Sequence, residues 1–147
     1  MMDIVIKNMD SSHIKALSDI EKECFSIPWS EEALKVELDN KFARFFVAEC
    51  DGVISGYIGA HNILGEVYID NIAVAKTFRR NGVAEKLLRH LIVFCEKEGM
   101  EFVTLEVRRS NEPAKKLYSK MGFKEVGERK GFYENPREDA ILMTYGD

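Results

Sequence analysis

RRNGVAEKLL, Arg79 to Leu88, changes character midway. It opens on two arginines, an asparagine and a glycine. It then continues as AEKLLRHLIVFCEKEG, whose apolar residues recur at helical spacing. A basic, glycine-containing turn therefore leads straight into a long helix, and Gly99 suits the position just past its end. Two readings are open. The turn is an ordinary strand-to-helix connection, or its backbone N–H groups hold a phosphate. The first N–H groups of a helix have no partner inside it, and the helix dipole adds partial positive charge there. Consecutive amides form a concave anion nest. Gly82 permits a close approach that a Cβ would obstruct, and Ala84 keeps the helix start small. Arg79 and Arg80 bring cationic side chains. The pattern Arg-x-x-Gly-x-Ala lacks the Lys-Ser/Thr pair of a nucleotide P-loop and the three glycines of the dinucleotide fingerprint. On the motif alone the two readings balance.

Working outward, DIVIKNM alternates and predicts a first strand. DSSHIKALSDIEKEC predicts a helix with Ser11 or Ser12 as cap and Ile14, Leu17 and Ile20 on one face. FSIPWS breaks it, and Ser30 caps a short second helix, EEALKVELD. ARFFVAEC and VISGYIGAHNI are strands around the hairpin signal Asp51-Gly52, and EVYIDNIAV joins them after Leu64-Gly65. Beyond the long helix, EFVTLEV is a strand. NEPAKKLYSKMG is a helix, with Pro113 near its first turn and Gly122 after its last. FKEVGERK and DAILMTYG are closing strands. The order β α α β β β α β α β β predicts an α+β (mixed α/β) domain, its sheet mostly antiparallel and its helices on both faces.

The chain has 147 residues, the size of one domain, with 46% hydrophobic and 31% charged residues. No apolar run approaches a membrane span, and MMDIVIKNMDSSH lacks the pattern of a signal peptide. Three widely spaced cysteines, Cys24, Cys50 and Cys95, fit free thiols in a reducing cytoplasm. The three histidines are scattered, so no metal site is expected. A net charge of −4 argues against nucleic-acid binding.

The residues IPWSEE (Ile27 to Glu32), IDNIAVAKTFRRNGVAEKLL (Ile69 to Leu88), LEVRRSNEPAKKLYSKMGF (Leu105 to Phe123) and REDAILM (Arg137 to Met143) resemble the GCN5-related N-acetyltransferase (GNAT) family. The resemblance covers nearly the whole chain. Within the family it points to the branch that acetylates the N-terminal alanine of a small-subunit ribosomal protein. It implies a single N-acetyltransferase domain over residues 1–147, with a splayed central sheet and acetyl-CoA as co-substrate. The acceptor implied is a protein or peptide N-terminus, ribosomal in that branch, in the cytoplasm and away from membranes. Such relatives also associate with tRNA-modification machinery. By position, Arg79, Arg80, Asn81, Gly82, Val83, Ala84 and Glu85 would carry the pyrophosphate. The backbone of Ile72, Ala73 and Val74 would pair with the pantetheine arm, a bulge near Asp70 to Asn71 holding the sheet open. Many relatives have Gln at Arg79 and Gly at Ala84.

Acetyl transfer to an amine needs a base, a donor to the oxyanion and an acid. Glu106 lies opposite Val103, Leu105 and Val107 on its strand. Pattern alone reads it as a water-facing acid or a partner of Arg108 or Arg109; the resemblance makes it the base. Tyr118 shares a helix face with Ala114, Leu117 and Met121. Pattern alone reads it as core; the resemblance makes it the acid. Asn111 is a helix cap by type and, by the resemblance, a cofactor contact. Trp29 either lines the acceptor groove or closes the core beneath its loop. Tyr133 resembles a substrate-side tyrosine in a loop, beside Phe132 where relatives often have a second tyrosine. Cys95, among Leu91, Ile92 and Phe94, reads as core. The alternatives are a lysine or small-molecule amine as acceptor, and a non-catalytic acyl-CoA-binding module.

Overall fold

The computed structural model describes residues 3–146. In chain order its elements are β1 (Ile4–Asn8), α1 (Ile14–Cys24), α2 (Glu31–Leu38), β2 (Ala43–Cys50), β3 (Val53–Ile63), β4 (Glu66–Val74), α3 (Val83–Lys97), β5 (Phe102–Arg108), α4 (Glu112–Lys120), β6 (Lys124–Tyr133) and β7 (Glu138–Gly146). The element order is the expected one. The β2–β3 and β3–β4 turns, Asp51-Gly52 and Leu64-Gly65, put both residues at positive φ. That geometry matches the twist of the strands they join.

Two details differ from expectation. The first helical segment is capped by Asp10, not by Ser11 or Ser12: the Asp10 carboxylate accepts the Ser12 N–H at 2.8 Å, and His13 reaches back to the Asp10 N–H at 3.0 Å. A 3-10 turn over Ser11–His13 precedes α1 and moves the start toward the N-terminus. The second difference is that β6 runs on to Tyr133, which pairs with Glu138, so Tyr133 ends a strand and does not sit in the loop.

The sheet order is β1-β2-β3-β4-β5-β7-β6. Every pairing is antiparallel except β4 with β5. Those two strands pair only at Glu66–Phe102, Val67–Val103 and Tyr68–Thr104. Beyond Tyr68 and Thr104 they part, and a cleft opens between the rest of β4 and the rest of β5. The β3–β4 register jumps from Gly59–Asn71 to Ala60–Ile69, so Asp70 is an extra residue at the start of the splay. This is the bulge expected near Asp70 to Asn71. Gly59, opposite, has no room for a side chain: a Cβ there would stand 2.5 Å from the Phe45 ring.

Helices cover both faces. On one face Leu87, Leu88, Leu91 and Cys95 of α3 and Tyr118 of α4 pack on Ile58, Val67, Leu105 and Met143. On the other, Leu17 and Ile20 of α1 and Leu34 of α2 pack on Phe45, Val47, Tyr57 and Ala73. All are apolar positions at the period their element demands.

Candidate active site

The turn before α3 is built by local chemistry. Arg80 and Gly82 are both left-handed, with φ of 67° and 78°. The Asn81 side chain braces the bend by donating to the carbonyls of Phe78 and Arg79, each at 3.1 Å. The first helical bond runs from the Lys86 N–H to the Gly82 carbonyl at 3.0 Å. No N–H from Arg80 through Glu85 finds an acceptor among the described residues, and no side chain caps the helix. A cavity of about 210 Å³ faces them, lined by Val74, Phe78, Gly82, Val83 and Leu117. A Cβ built on Gly82 would meet nothing within 4 Å, so the approach is open. A run of free amides at a helix N-terminus binds anions.

The charged side chains around this turn divide the work. Arg80 is exposed and makes no ion pair among the described residues. Arg79 turns back: its Nε donates to the Val74 carbonyl at 3.1 Å, and its Nη2 lies 3.3 Å from Cys24 Sγ. It therefore ties the turn to the end of β4, a role its sequence position did not announce. Glu85 pairs with Lys120 at 2.8 Å and Arg89 at 3.0 Å, which pulls its carboxyl below the usual range and leaves its N–H to the turn. Ile72, Ala73 and Val74 pair with β3 on one side only, so their other edge faces the cleft. The Asn111 Oδ1 caps α4 by accepting the Ala114 N–H at 3.2 Å, which leaves its amide N–H groups available.

Glu106 lies on β5 just past its last pairing with β4. Its side chain is 4% exposed. One carboxylate oxygen accepts from the Tyr68 hydroxyl, and the other meets Arg129 Nε of β6 at 2.6 Å. The expected partners, Arg108 and Arg109, are engaged elsewhere. Arg108 stacks on the Tyr133 ring at 4.5 Å and pairs with Glu138, while Arg109 pairs with Glu128. The strand that brings an arginine to Glu106 lies two places away from β5 in the sheet.

Tyr118 is buried in α4, yet its hydroxyl has no hydrogen-bond partner among the described residues. No fully buried side-chain oxygen or nitrogen there is left unpaired, so this hydroxyl retains access to the surface. Burial, and then the nearby Tyr133, raise its phenol above the ordinary value of ~10. Burial first, and then the Glu106 charge, push Tyr133 up to about 12. Tyr118, Tyr133, Tyr68 and Glu106 thus sense one another across the mouth of the splay. Phe132 stands edge-on to Tyr133 with ring centres 5.0 Å apart and is 45% exposed.

Trp29 is half-buried and packs on Phe45 at 5.9 Å, so its ring closes the α1–α2 core. Cys95 is fully buried, with its thiol pushed up to about 11 by burial, which suits a core residue. Among the described residues no group of His, Cys, Asp and Glu side chains could hold a metal ion, and no helix is long and apolar enough to cross a membrane.

Sequence reading missed Tyr68 and Arg129, the two partners of Glu106. It also missed Glu21 and His61, and the contact that His61 makes with Asp70 of the expected bulge. Tyr68 and Asp70 do occupy the polar phase of EVYID, where Val67 and Ile69 are the buried phase. That alternation was the one available signal, and it names no partner.

Residues 14–123 match the family described as Acetyltransferase (GNAT) family. The ribosomal protein bS18-alanine N-acetyltransferase of Escherichia coli (strain K12) is 33% identical over 141 residues, 95% of this chain and 95% of that protein. The crystal structure of the ribosomal-protein-S18-alanine N-acetyltransferase from Escherichia coli superposes with a TM-score of 0.90 at 32% identity, covering 97% of this chain and 93% of that one. Arabidopsis thaliana NAA60, solved in complex with acetyl-CoA, shares the fold at a TM-score of 0.88 and 23% identity, covering 99% of this chain and 100% of that one.

Proposed function

This chain belongs to the GNAT acetyltransferase family, and we propose that it acetylates the N-terminal α-amine of a protein, with alanine as the preferred first residue and ribosomal protein bS18 as the model acceptor. The relatives named for that reaction support the acceptor. The observation that carries the chemistry is the pairing of Glu106 with an open cleft, below a turn whose amides are free.

Acetyl-CoA fits the residues present and supplies an activated acetyl thioester when bound. The N–H groups of Arg80 to Glu85 would hold its pyrophosphate, with the Arg80 side chain over them. The edge of Ile72, Ala73 and Val74 away from β3 would pair with the amides of its pantetheine arm through the groups that the Arg79 bond to the Val74 carbonyl leaves free. Asn111 would reach it with the amide N–H groups that its capping role leaves free. Trp29 and Tyr133 are the proposed walls for the acceptor.

Glu106 is the proposed base. Its carboxylate is held in one orientation by Tyr68 and Arg129, and it takes a proton from the incoming amine directly or through one water. Tyr118 is the proposed donor to the leaving sulfur. A phenol raised above ~10 is a weak acid beside a thiol of ~8.5. It therefore stabilises the developing thiolate by donating a hydrogen bond more readily than by giving up its proton. The α-amine suits a single carboxylate base. With a pKa of ~7.7–8.0 against ~10.4 for lysine, it is neutral a few hundred times more often near pH 7. A small first side chain lets the nitrogen approach within ~3–3.5 Å of the acyl carbon.

The test is kcat/KM across peptides that differ only at the first residue, beside an N-blocked peptide bearing one lysine. The expected order puts alanine first, followed by other small residues. Equal rates on the blocked lysine peptide would overturn the α-amine assignment.

A further inference from the structure

Both residues of the β4 bulge are tied to the helical layer that covers the acceptor face. Asn71 Nδ2 donates to Glu21 Oε2 of α1 at 3.1 Å. Asp70 Oδ2 lies 2.5 Å from His61 Nδ1, and His61 Nε2 lies 2.8 Å from Glu37 Oε1 of α2. The first tie extends further. Glu21 is fully buried, and its Oε1 accepts the backbone N–H of Trp29 at 2.7 Å, in the loop between α1 and α2. The Tyr57 hydroxyl donates to Oε2 at 2.6 Å.

A fully buried carboxylate with no cationic partner is a costly way to fill a core. Burial raises its pKa even though three donors surround it. An apolar residue of similar size would pack there with less loss. What the carboxylate adds is a fixed relation between two distant segments: one oxygen holds the backbone of the Trp29 loop, and the other holds the side chain of Asn71 at the splay. We infer that Glu21 is a positioning residue for acetyl transfer, setting the distance between the acceptor loop and the bulged strand while touching neither substrate. This rests on the reading that the acceptor enters between the Trp29 loop and the Tyr133 strand end. The reacting atoms must meet in a near-attack arrangement, and a misplacement of ~1 Å lowers the rate on the order of 100-fold. Glu21 therefore acts on rate through geometry.

The test compares Glu21→Gln and Asn71→Ala with Tyr57→Phe. The first two cut the link between loop and bulge. Tyr57→Phe removes a donor to the same carboxylate and a long 3.4 Å contact to Asn71 Nδ2, and leaves the Trp29–Glu21–Asn71 link in place. For Glu21→Gln and Asn71→Ala, kcat/KM for the acceptor peptide is expected to fall on the order of 10- to 100-fold. Acetyl-CoA affinity should not change. Tyr57→Phe should lower the melting temperature without that kinetic loss. Amide hydrogen exchange at Trp29 and Asn71 should quicken in Glu21→Gln, whatever the acceptor. If acceptor kinetics simply follow melting temperature across all three variants, or remain those of the wild type in Glu21→Gln and Asn71→Ala, the inference is overturned. Should Glu21→Gln fail to fold, Asn71→Ala decides alone. If the wild-type protein acetylates no peptide, the acceptor reading falls, and unchanged exchange at Trp29 and Asn71 would separately overturn the coupling.

Discussion

The two banks of the cleft are made of different material. The one before α3 is backbone: the N–H groups of Arg80 to Glu85, presented by a left-handed Gly82 with no side-chain cap among the described residues. The other is made of side chains from three strands: Glu106 of β5 with Tyr68 of β4 and Arg129 of β6, and beside them Glu21 and His61 gripping the bulge. A backbone site is set by local conformation, so it survives side-chain exchange and fails when the chain is bent differently. A side-chain site is set by which strands and helices meet, so one altered functional group disables it while the fold persists. Substitutions on the two banks should therefore read out differently.

The largest effect is expected at Glu106. Glu106→Gln keeps the shape and the Tyr68 contact but removes the charge that faces Arg129. Steady-state turnover should fall ~10²–10⁴-fold, the usual worth of a general base. Acetyl-CoA affinity, measured by calorimetry, should stay at the wild-type value. Tyr118→Phe comes next. The hydroxyl has no partner among the described residues, so melting temperature should barely move. A hydrogen bond to a charged group is worth ~1.5–3 kcal/mol, so turnover should drop roughly 10- to 100-fold. Lost stability with normal turnover would return Tyr118 to the core.

On the other bank effects should be smaller and appear in binding. Arg80→Gly removes an exposed cation and also relieves a left-handed non-glycine residue. Stability should stay within about 1 kcal/mol of wild type, because strain relief and glycine's chain entropy offset. Acetyl-CoA affinity should weaken roughly fivefold or less, as for an exposed ion pair. An unchanged affinity would leave the amides as the whole site.

The smallest effect concerns pH. Burial by itself would lower the His61 pKa, but the hydrogen bond to Glu37 and the charge of Asp70 outweigh it and raise it above the ordinary ~6.5. A raised pKa means the folded state holds the proton more tightly. The stabilisation is thus fully present below ~6.5 and is lost as pH rises through the folded value. The gap in melting temperature between wild type and His61→Gln should narrow from pH 6 to pH 9. A gap independent of pH would show that the ring serves only by packing on Phe45.

The same contrast explains what was legible in the sequence. The element order, the two hairpin turns and the Arg79 to Glu85 turn follow from periodicity and turn chemistry, which act over a few residues. The bulge at Asp70 was legible only through the family resemblance, which implies an open strand edge and hence such a device. The partners of Glu106 were not. Arg108 and Arg109 are near it in sequence, but Arg108 is held by Tyr133 and Glu138 and Arg109 by Glu128, and the β5-β7-β6 order brings Arg129 to it instead. Arg79 opens the turn motif, and that its guanidinium meets the Val74 carbonyl is invisible in the sequence, because the 3-10 turn over Lys76–Phe78 lies between them. Glu21, in an amphipathic helix, resembles any solvated glutamate until Trp29, Tyr57 and Asn71 are seen around it.

The central claim is that the cleft presents an α-amine to the thioester beside Glu106. A peptide with a free N-terminal alanine and one internal lysine, incubated with the protein and acetyl-CoA, tests it most directly when fragment-ion mass spectrometry locates the acetyl group. The account predicts acetylation of the α-nitrogen, reduced in step with turnover by Glu106→Gln. Acetylation of the lysine Nζ with none on the α-nitrogen would contradict it.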